Sequence, residues 1–327
     1  MSSQVLTPIT QAMQEGALTR RELKQLMRRT DKPAFQRLAI WLCLLCLTAY
    51  GIWLTQGSWL MLPAMFVHGV VLVHHFSLQH ECCHYTAFKT RWLNDVAGNV
   101  CGLVIMLPNR FFRYEHCDHH TYTQLKGRDT ELIELPQTIA GYFYYLSSIP
   151  YWKAKFNELW RHSAGHLSAV EKSFVPLEER KTIVLEARAM VAFYLVVILL
   201  SLVFQSKAAI WYWFVPVVLG EPVMRAIRMT EHVGRPNVSD MKTNTRSNLV
   251  SLPLRFLCWN MNYHAEHHYA SSVPFHALPD LHRKLAGYIH TEKSGYVGAH
   301  RDIVSQLLGR SPRCDADKAV MDSVDGK

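Results

Sequence analysis

The 327-residue sequence contains no G-x-G-x-x-G dinucleotide fingerprint, no cysteine spacing of an iron–sulfur cluster and no appended haem domain. Any redox chemistry performed by this chain therefore takes its electrons from a separate protein. Internal repeats and low-complexity segments are also lacking. The N-terminus has neither the compact apolar core nor the cleavage site of a secretory signal, so the first hydrophobic run is expected to be retained. Eight cysteines are present, but Cys43, Cys46 and Cys101 lie in apolar segments, Cys82, Cys83 and Cys117 lie among histidines, and Cys258 and Cys314 stand alone. Free thiols acting as small buried residues are the expectation, with Cys82 and Cys83 as spacers rather than ligands.

Hydrophobic residues make up 49% of the chain and are bunched into runs that amphipathic helices of a soluble protein do not show. Four runs are candidates to span a bilayer: Leu38 to Leu54, Trp59 to Phe76, Ala189 to Phe204 and Ala208 to Met224. Very short connections, Thr55 to Ser58 and Gln205 to Lys207, join them into two helical hairpins. The formal charge of +9 could suggest nucleic acid, but its placement excludes that reading. Arg20, Arg21, Lys24, Arg28, Arg29, Lys32 and Arg37 precede the first run, Lys89 and Arg91 follow the second, Arg180, Lys181 and Arg188 precede the third, and Arg225 and Arg228 follow the fourth. By the positive-inside rule both termini are cytoplasmic, in a cell inner membrane or its equivalent.

Two further stretches are expected to enter the membrane without crossing it. Ala97 to Leu107 is apolar but short and is closed by Pro108, and Ile139 to Trp152 is rich in the aromatic residues that settle at headgroup level. The expected organisation is a basic N-terminal cytoplasmic segment (1–37), a membrane domain (38–310) whose cap runs from about Glu231 to Arg310, and a polar, disordered tail (311–327).

Three tight histidine clusters carry the chemistry: H-E-C-C-H (His80, His84), H-C-D-H-H (His116, His119, His120) and H-A-E-H-H (His264, His267, His268). On a helix, residues three and four apart share a face, so each cluster presents its imidazoles together. That many nitrogen ligands exceeds the need of one zinc ion. The first cluster also satisfies H-E-x-x-H, the motif of helical zinc hydrolases, with Glu81 as general base. That reading leaves both H-x-x-H-H clusters unused, whereas a two-metal centre uses all three. Glu81 then reads as an acceptor for the far N–H of a ligating imidazole, and Glu115, Asp118 and Glu266 could serve similarly.

With HECCH, HCDHH and HAEHH in this order and spacing, the sequence resembles the integral-membrane fatty acid desaturase and hydroxylase superfamily from about Asp31 to the end of the cap. The resemblance implies an all-α integral membrane fold, about four transmembrane helices in two hairpins under a cytoplasmic histidine-rich helical cap. It implies a non-haem centre of two irons held almost wholly by histidine. Such a centre is reduced by an external ferredoxin-, rubredoxin- or cytochrome-like donor and activates O2 to cleave an unactivated C–H bond of a membrane lipid or fatty acyl chain. The family places one more histidine after the last span. His232, in T-E-H-V-G beside Glu231, stands there, giving a metal and catalytic set of His80, His84, His116, His119, His120, His232, His264, His267 and His268. Stearoyl-type members add an asparagine shortly before this histidine; here the position four before is Arg228, so that ligand is absent or supplied elsewhere.

Imidazole is a neutral ligand suited to iron, so a histidine shell leaves a metal pair strongly positive. Outside the clusters, His68, His74 and His75 read as packing or interfacial residues of the second run, with His74 or His75 a candidate to orient a ligand. His162, His166, His276, His282, His290 and His300 read as surface or satisfied residues. Near the third box, Asn260 and Asn262 in W-N-M-N-Y are candidates to bind a ligand or substrate head group, and Arg246 to meet a carboxylate or phosphate. Val273 to His282 reads as a structural turn and helix start. The function expected is lipid desaturation, with hydroxylation, oxidative decarboxylation to a terminal alkene and carotenoid ring oxidation as alternatives on the same centre, and a membrane zinc hydrolase as a distant one.

Overall fold

The computed structural model describes residues 8–311. Almost all of the expected disordered tail, from 312 onward, lies outside the described residues, as do residues 1–7. The described chain is helical apart from one two-residue parallel pairing, Ser247–Asn248 with Thr291–Glu292. The helices that position functional side chains are α1 (Lys32–Leu54), α2 (Met61–Val73), α3 (His75–Cys83), α4 (Arg91–Ile105), α5 (Asn109–Tyr122), α6 (Ile149–Ser163), α7 (Arg180–Val203), α8 (Val215–His232) and α9 (His264–Tyr269). They belong to two compact units, a membrane unit of residues 30–116 and 143–226 and a polar unit formed from 8–29, 117–142 and 227–311.

The membrane unit holds three helices long and apolar enough to cross a bilayer: Lys32–Leu54, Met61–Cys83 and Leu177–Val203. At 1.5 Å per residue, 23 residues reach about 34 Å, more than the roughly 30 Å of a hydrocarbon core. Their apolar side chains face outward, Leu47 being 65% exposed on α1 and Leu202 71% on α7, as lipid-facing helices require. The fourth expected run, 208–224, is not among these three. It opens with a π-helical stretch, Ile210–Phe214, and leads into α8, which carries the charged residues Glu221, Arg225, Arg228 and Glu231. Glu221 and Arg225 are buried and paired at 2.7 Å, with the Arg225 guanidinium over the Tyr151 ring, so this helix is built for a polar packed interior.

Within Met61–Cys83 the backbone departs from helical bonding at His74, and two histidines mend the break. Nδ1 of His74 lies 2.6 Å from the Val70 carbonyl and Nδ1 of His75 2.6 Å from the Leu72 carbonyl, satisfying acceptors that an interrupted helix leaves open. Helices α2 and α8 meet backbone to backbone. A Cβ on Gly69 would stand 1.9 Å from the Pro216 carbonyl oxygen, and one on Gly220 2.3 Å from the Gly69 carbonyl carbon, so only glycine permits the contact. The two stretches expected to lie at the interface are both helical. The first is part of α4, which ends on Met106 in the left-handed region, and the second is split by Ser148, also left-handed, into Ile139–Leu146 and α6.

In the polar unit the start of the chain is folded rather than loose. Thr19 and Glu22 form a capping box on the helix Arg20–Leu26, and Ala12 and Leu18 are buried in a core with Tyr263, Ala265, Leu278 and Leu281. Ion pairs from Glu15 to Lys242 and from Glu22 to Lys284 fasten the same surface. This core contains the segment that bears the third histidine cluster.

Candidate metal centre

In the membrane unit, α3 delivers His80 and its C-terminal cap is His84, while His116 comes from α5. The ring centroids of His80 and His84 are 5.3 Å apart, those of His80 and His116 4.3 Å, and those of His84 and His116 5.0 Å. Each offers a ring nitrogen within 4.8 Å of the others, and His80 and His116 are fully buried. Phe112 stacks on His116, and Phe76 lies 5.6 Å from Phe112 and 6.1 Å from His80, so the rings are bounded by an apolar wall. Glu81 is buried and accepts a hydrogen bond of 2.7 Å from the Thr86 hydroxyl. The Cys83 thiol points at the His80 carbonyl, and no cysteine joins a metal-holding group among the described residues.

The polar unit gathers His119, His232, His264 and His268 into one buried group whose ligating atoms all lie within 4.8 Å of one another. Nε2 of His264 is 3.0 Å from Nε2 of His232 and 3.1 Å from Nε2 of His268. Two nitrogens bound at right angles to one metal at about 2.1 Å are separated by about 3 Å, so the spacing fits a shared ion. The opposite edges of three rings are held from outside. Nδ1 of His119 donates to Asp129 at 2.7 Å, Nδ1 of His268 faces the Thr123 hydroxyl at 3.1 Å, and Nδ1 of His232 faces Thr245 and the Asn244 carbonyl at 3.3 and 3.4 Å. With the outer nitrogens so engaged, the Nε2 lone pairs are directed inward. His120 and His267 form a further pair, Nε2 to Nε2 at 3.1 Å, and His120 stacks on His268.

Protonation follows the same division. Burial, reinforced by the charge of neighbouring His119, pushes His232 well below its ordinary value, and burial with the surrounding imidazoles does the same to His268, keeping both neutral. Burial works against a charge on His119 too, but the Asp129 hydrogen bond and the negative charges of Glu131 and Asp129 outweigh it and raise that group. An imidazole set with an oriented carboxylate behind one ring suits iron, and among the described residues no thiolate joins these groups.

The other expected residues are placed as follows. Glu231 pairs with Arg228 at 2.6 Å and stands 3.7 Å from Nε2 of His264. Arg228 also binds Glu131, so the position where an asparagine was sought holds an ion-paired arginine. Glu266 is fully buried and hydrogen-bonds His282 and Ser247, so it fixes the third box to the next helix. Glu115 lies 3.9 Å from Lys155, and Asp118 is only partly buried. Asn260 donates to the Phe275 carbonyl and Asn262 to the Asn248 carbonyl, each at 2.9 Å. Arg246, 1% exposed, donates to the Val233 and Ala299 carbonyls and pairs with Asp302. Asn260 and Asn262 thereby tie down the loop in which Trp259 and Asn260 turn through left-handed conformations. Asp129, Thr123 and Thr245 were not anticipated; Asp129 sits in a G-R-D-T turn ten residues after His119, and nothing in one sequence marks that carboxylate.

The membrane unit also holds an apolar cavity of about 450 Å³ lined by Trp152, Phe156, Tyr194, Leu195, Trp213 and Val217 among others. The polar ends of two lining aromatics are tied to backbone, Tyr194 to the Leu103 carbonyl and Trp213 to that of Val104, each at 2.8 Å. Val217 belongs to the cluster with Leu72, Val73 and Met224 against which Phe76 packs, so apolar packing is continuous from the cavity wall to the ring beside His80.

A family model described as fatty acid desaturase matches residues 57–298. An sn-1 oleoyl-lipid 12-desaturase of Anabaena variabilis is 22% identical over 83% of this chain and 84% of its own. One of Synechocystis sp. is 22% identical over 69% of each chain. A third relative, an sn-1 acyl-lipid omega-3 desaturase (ferredoxin) of Nostoc sp., is 29% identical over 30% of each.

Proposed function

Because the chain belongs to the fatty acid desaturase family, we propose that it introduces a double bond into the acyl chain of a membrane lipid, using two irons, O2 and electrons from an external carrier. The observations that support this reading are the imidazoles gathered within each unit and, in the membrane unit, an aromatic cavity of acyl-chain character. One iron is assigned to His119, His232, His264 and His268. The second iron is assigned to His80, His84 and His116, and His120 and His267 complete the proposed ligand set.

When bound, the two irons would supply the reduction of O2 and the removal of hydrogen from an unactivated C–H bond. The protein's own groups do the rest. Asp129, Thr123 and Thr245 hold ring orientation and tautomer, and Glu231 adds a carboxylate near His264. Phe76 and Phe112 keep water from the imidazoles, and the cavity aromatics hold a chain in place for attack. Arg246, Asn260 and Asn262 are proposed to fix the geometry of the third box. The names of the relatives favour desaturation of glycerolipid acyl chains and a ferredoxin-like donor over hydroxylation, decarboxylation or ring oxidation. With Glu81 bonded to Thr86 and His80 and His84 grouped with a third histidine, the zinc-hydrolase alternative has no support.

The test is mass-spectrometric profiling of lipids from cells expressing the protein or its His267→Ala variant, with iron counted in each purified protein. New double bonds and about two irons per chain are expected for the wild type and neither for the variant. One firmly held zinc with oxygen-independent hydrolysis would overturn the reading.

A further inference from the structure

Helix α7 carries a second feature, one that neither the histidines nor the chemistry of desaturation requires. A recess of about 390 Å³ is lined by Lys172, Arg180, Lys181 and Arg188, with Leu167 and Leu185 among the apolar residues beside them. No acidic residue lines it. Two of the cations are fixed in place: Arg180 donates to the Lys172 and Val175 carbonyls at 2.7 and 3.3 Å, and Arg188 donates through Nε to the Ser163 carbonyl at 2.8 Å. A guanidinium has five N–H donors, so each retains donors for an anion.

The position of the recess on α7 identifies its ligand. Lys181, Val184, Arg188, Val191, Leu195 and Ile198 recur at intervals of three and four residues and therefore form one stripe along the helix. The first three line the basic recess and the last three line the aromatic cavity. With a rise of 1.5 Å per residue, Arg188 and Val191 are separated by only about 5 Å. Helix α6 repeats the arrangement, since Phe156, Leu159 and Trp160 line the cavity while the Ser163 carbonyl and Gly165, just beyond, border the recess. A cationic pocket at the end of a membrane-spanning helix, followed along that helix by an apolar groove, has the order of a phospholipid, phosphate first and hydrocarbon next.

We propose that the recess binds the phosphate of an anionic glycerophospholipid whose acyl chain follows Val191, Leu195 and Ile198 into the aromatic cavity, so that the substrate is an intact acidic phospholipid. This rests on the acyl-lipid desaturase reading for the fate of the chain, but the binding stands on the recess and the stripe. An acidic electron-carrier protein fits the place less well. The recess is concave and partly walled by leucine, and Leu185, Leu195 and Leu199 on the same helix are about 60% exposed, as on a surface that meets lipid.

The experiment uses the purified iron-loaded protein and a Lys172→Gln/Lys181→Gln variant, which leaves both arginine–carbonyl anchors intact. Retention of phosphatidylglycerol and of phosphatidylcholine with the same chains is read by native mass spectrometry, and desaturation is measured in vesicles of each lipid and with free fatty acid. The wild type is expected to retain and desaturate phosphatidylglycerol preferentially. The variant should lose that preference by about 5-fold per lysine removed while still oxidising phosphatidylcholine. Equal retention of the two lipids by the wild type would overturn the proposal. So would displacement of phosphatidylglycerol by inorganic phosphate, or unchanged lipid retention with slower reduction by an acidic donor protein. Absence of product from every acyl substrate would instead overturn the desaturase reading, and the retention arm would still decide the recess.

Discussion

An imidazole binds metal through one nitrogen only, and what its other nitrogen touches decides whether the first is available. Asp129 does this for His119 through a 2.7 Å bond between two side chains that are each 1% exposed. Asp129→Asn keeps the shape and removes the charge. Iron affinity, measured by competition with a chelator, is expected to fall by about 10- to 100-fold without loss of the fold. The same environment sets a pH dependence. His232 and His268 lie well below 6.5 in the folded protein and near 6.5 when unfolded, so below that pH the unfolded chain takes up more protons and stability falls. His119, raised, acts oppositely: its contribution is complete below about 6.5 and is lost as pH rises through its higher folded value. Thermal unfolding of the metal-free protein should therefore show a maximum near neutrality and a decline below about pH 6.5, by up to roughly 1.4 kcal/mol per pH unit for each histidine. Stability that rises on acidification to pH 5 would contradict this. The histidines that gather into groups able to hold a metal were legible at this scale because their three- and four-residue spacing has a direct geometric meaning. Asp129 was not, because a single carboxylate in a loop has no periodicity to betray it.

At the scale of the element, hydrophobic length found α1, the Met61–Cys83 helix and α7 but overstated the run at 208–224. Its helix carries Glu221 and Arg225, which a length criterion discounts and which form a buried pair. Of the histidines of the second run, His74 and His75 bond backbone carbonyls at the helix break at His74, a backbone event invisible in composition, and His68 bonds Thr48 and the Tyr212 carbonyl. The contact between α2 and α8 was equally hidden, since two glycines 151 positions apart in the numbering announce nothing until their helices touch. Gly69→Ala is expected to force the helices apart, at a cost of about 1–3 kcal/mol or more. The loss should be read as a lower unfolding temperature in detergent, with Gly51→Ala, whose Cβ would meet nothing within 4 Å, as a neutral control.

For the whole molecule, the distribution of basic residues carries the expectation that both termini are cytoplasmic, and that expectation calls for an even number of crossings. Among the described residues three helices are long and apolar enough by themselves, and we propose that the helical run through α8, despite its buried ion pair, supplies the fourth crossing that this expectation calls for. Reporter fusions after Gln205 are expected on the outer side, and fusions at either terminus or after Arg235 on the inner side. An inner signal at Gln205 would remove the four-crossing topology. The division into two units was not legible in the sequence, because the polar unit is assembled from three separated segments, and its N-terminal one reads in isolation as a mere basic leader. That discontinuity fixes the timing of biosynthesis. His119 leaves the ribosome 149 residues before His268, its partner in the buried group. At about 5–20 residues per second, the first ligand waits roughly 7–30 s for the last. A metal can be captured by the whole group only after every membrane segment has been made, so a nascent chain halted before His264 should be inserted in the bilayer and empty of metal.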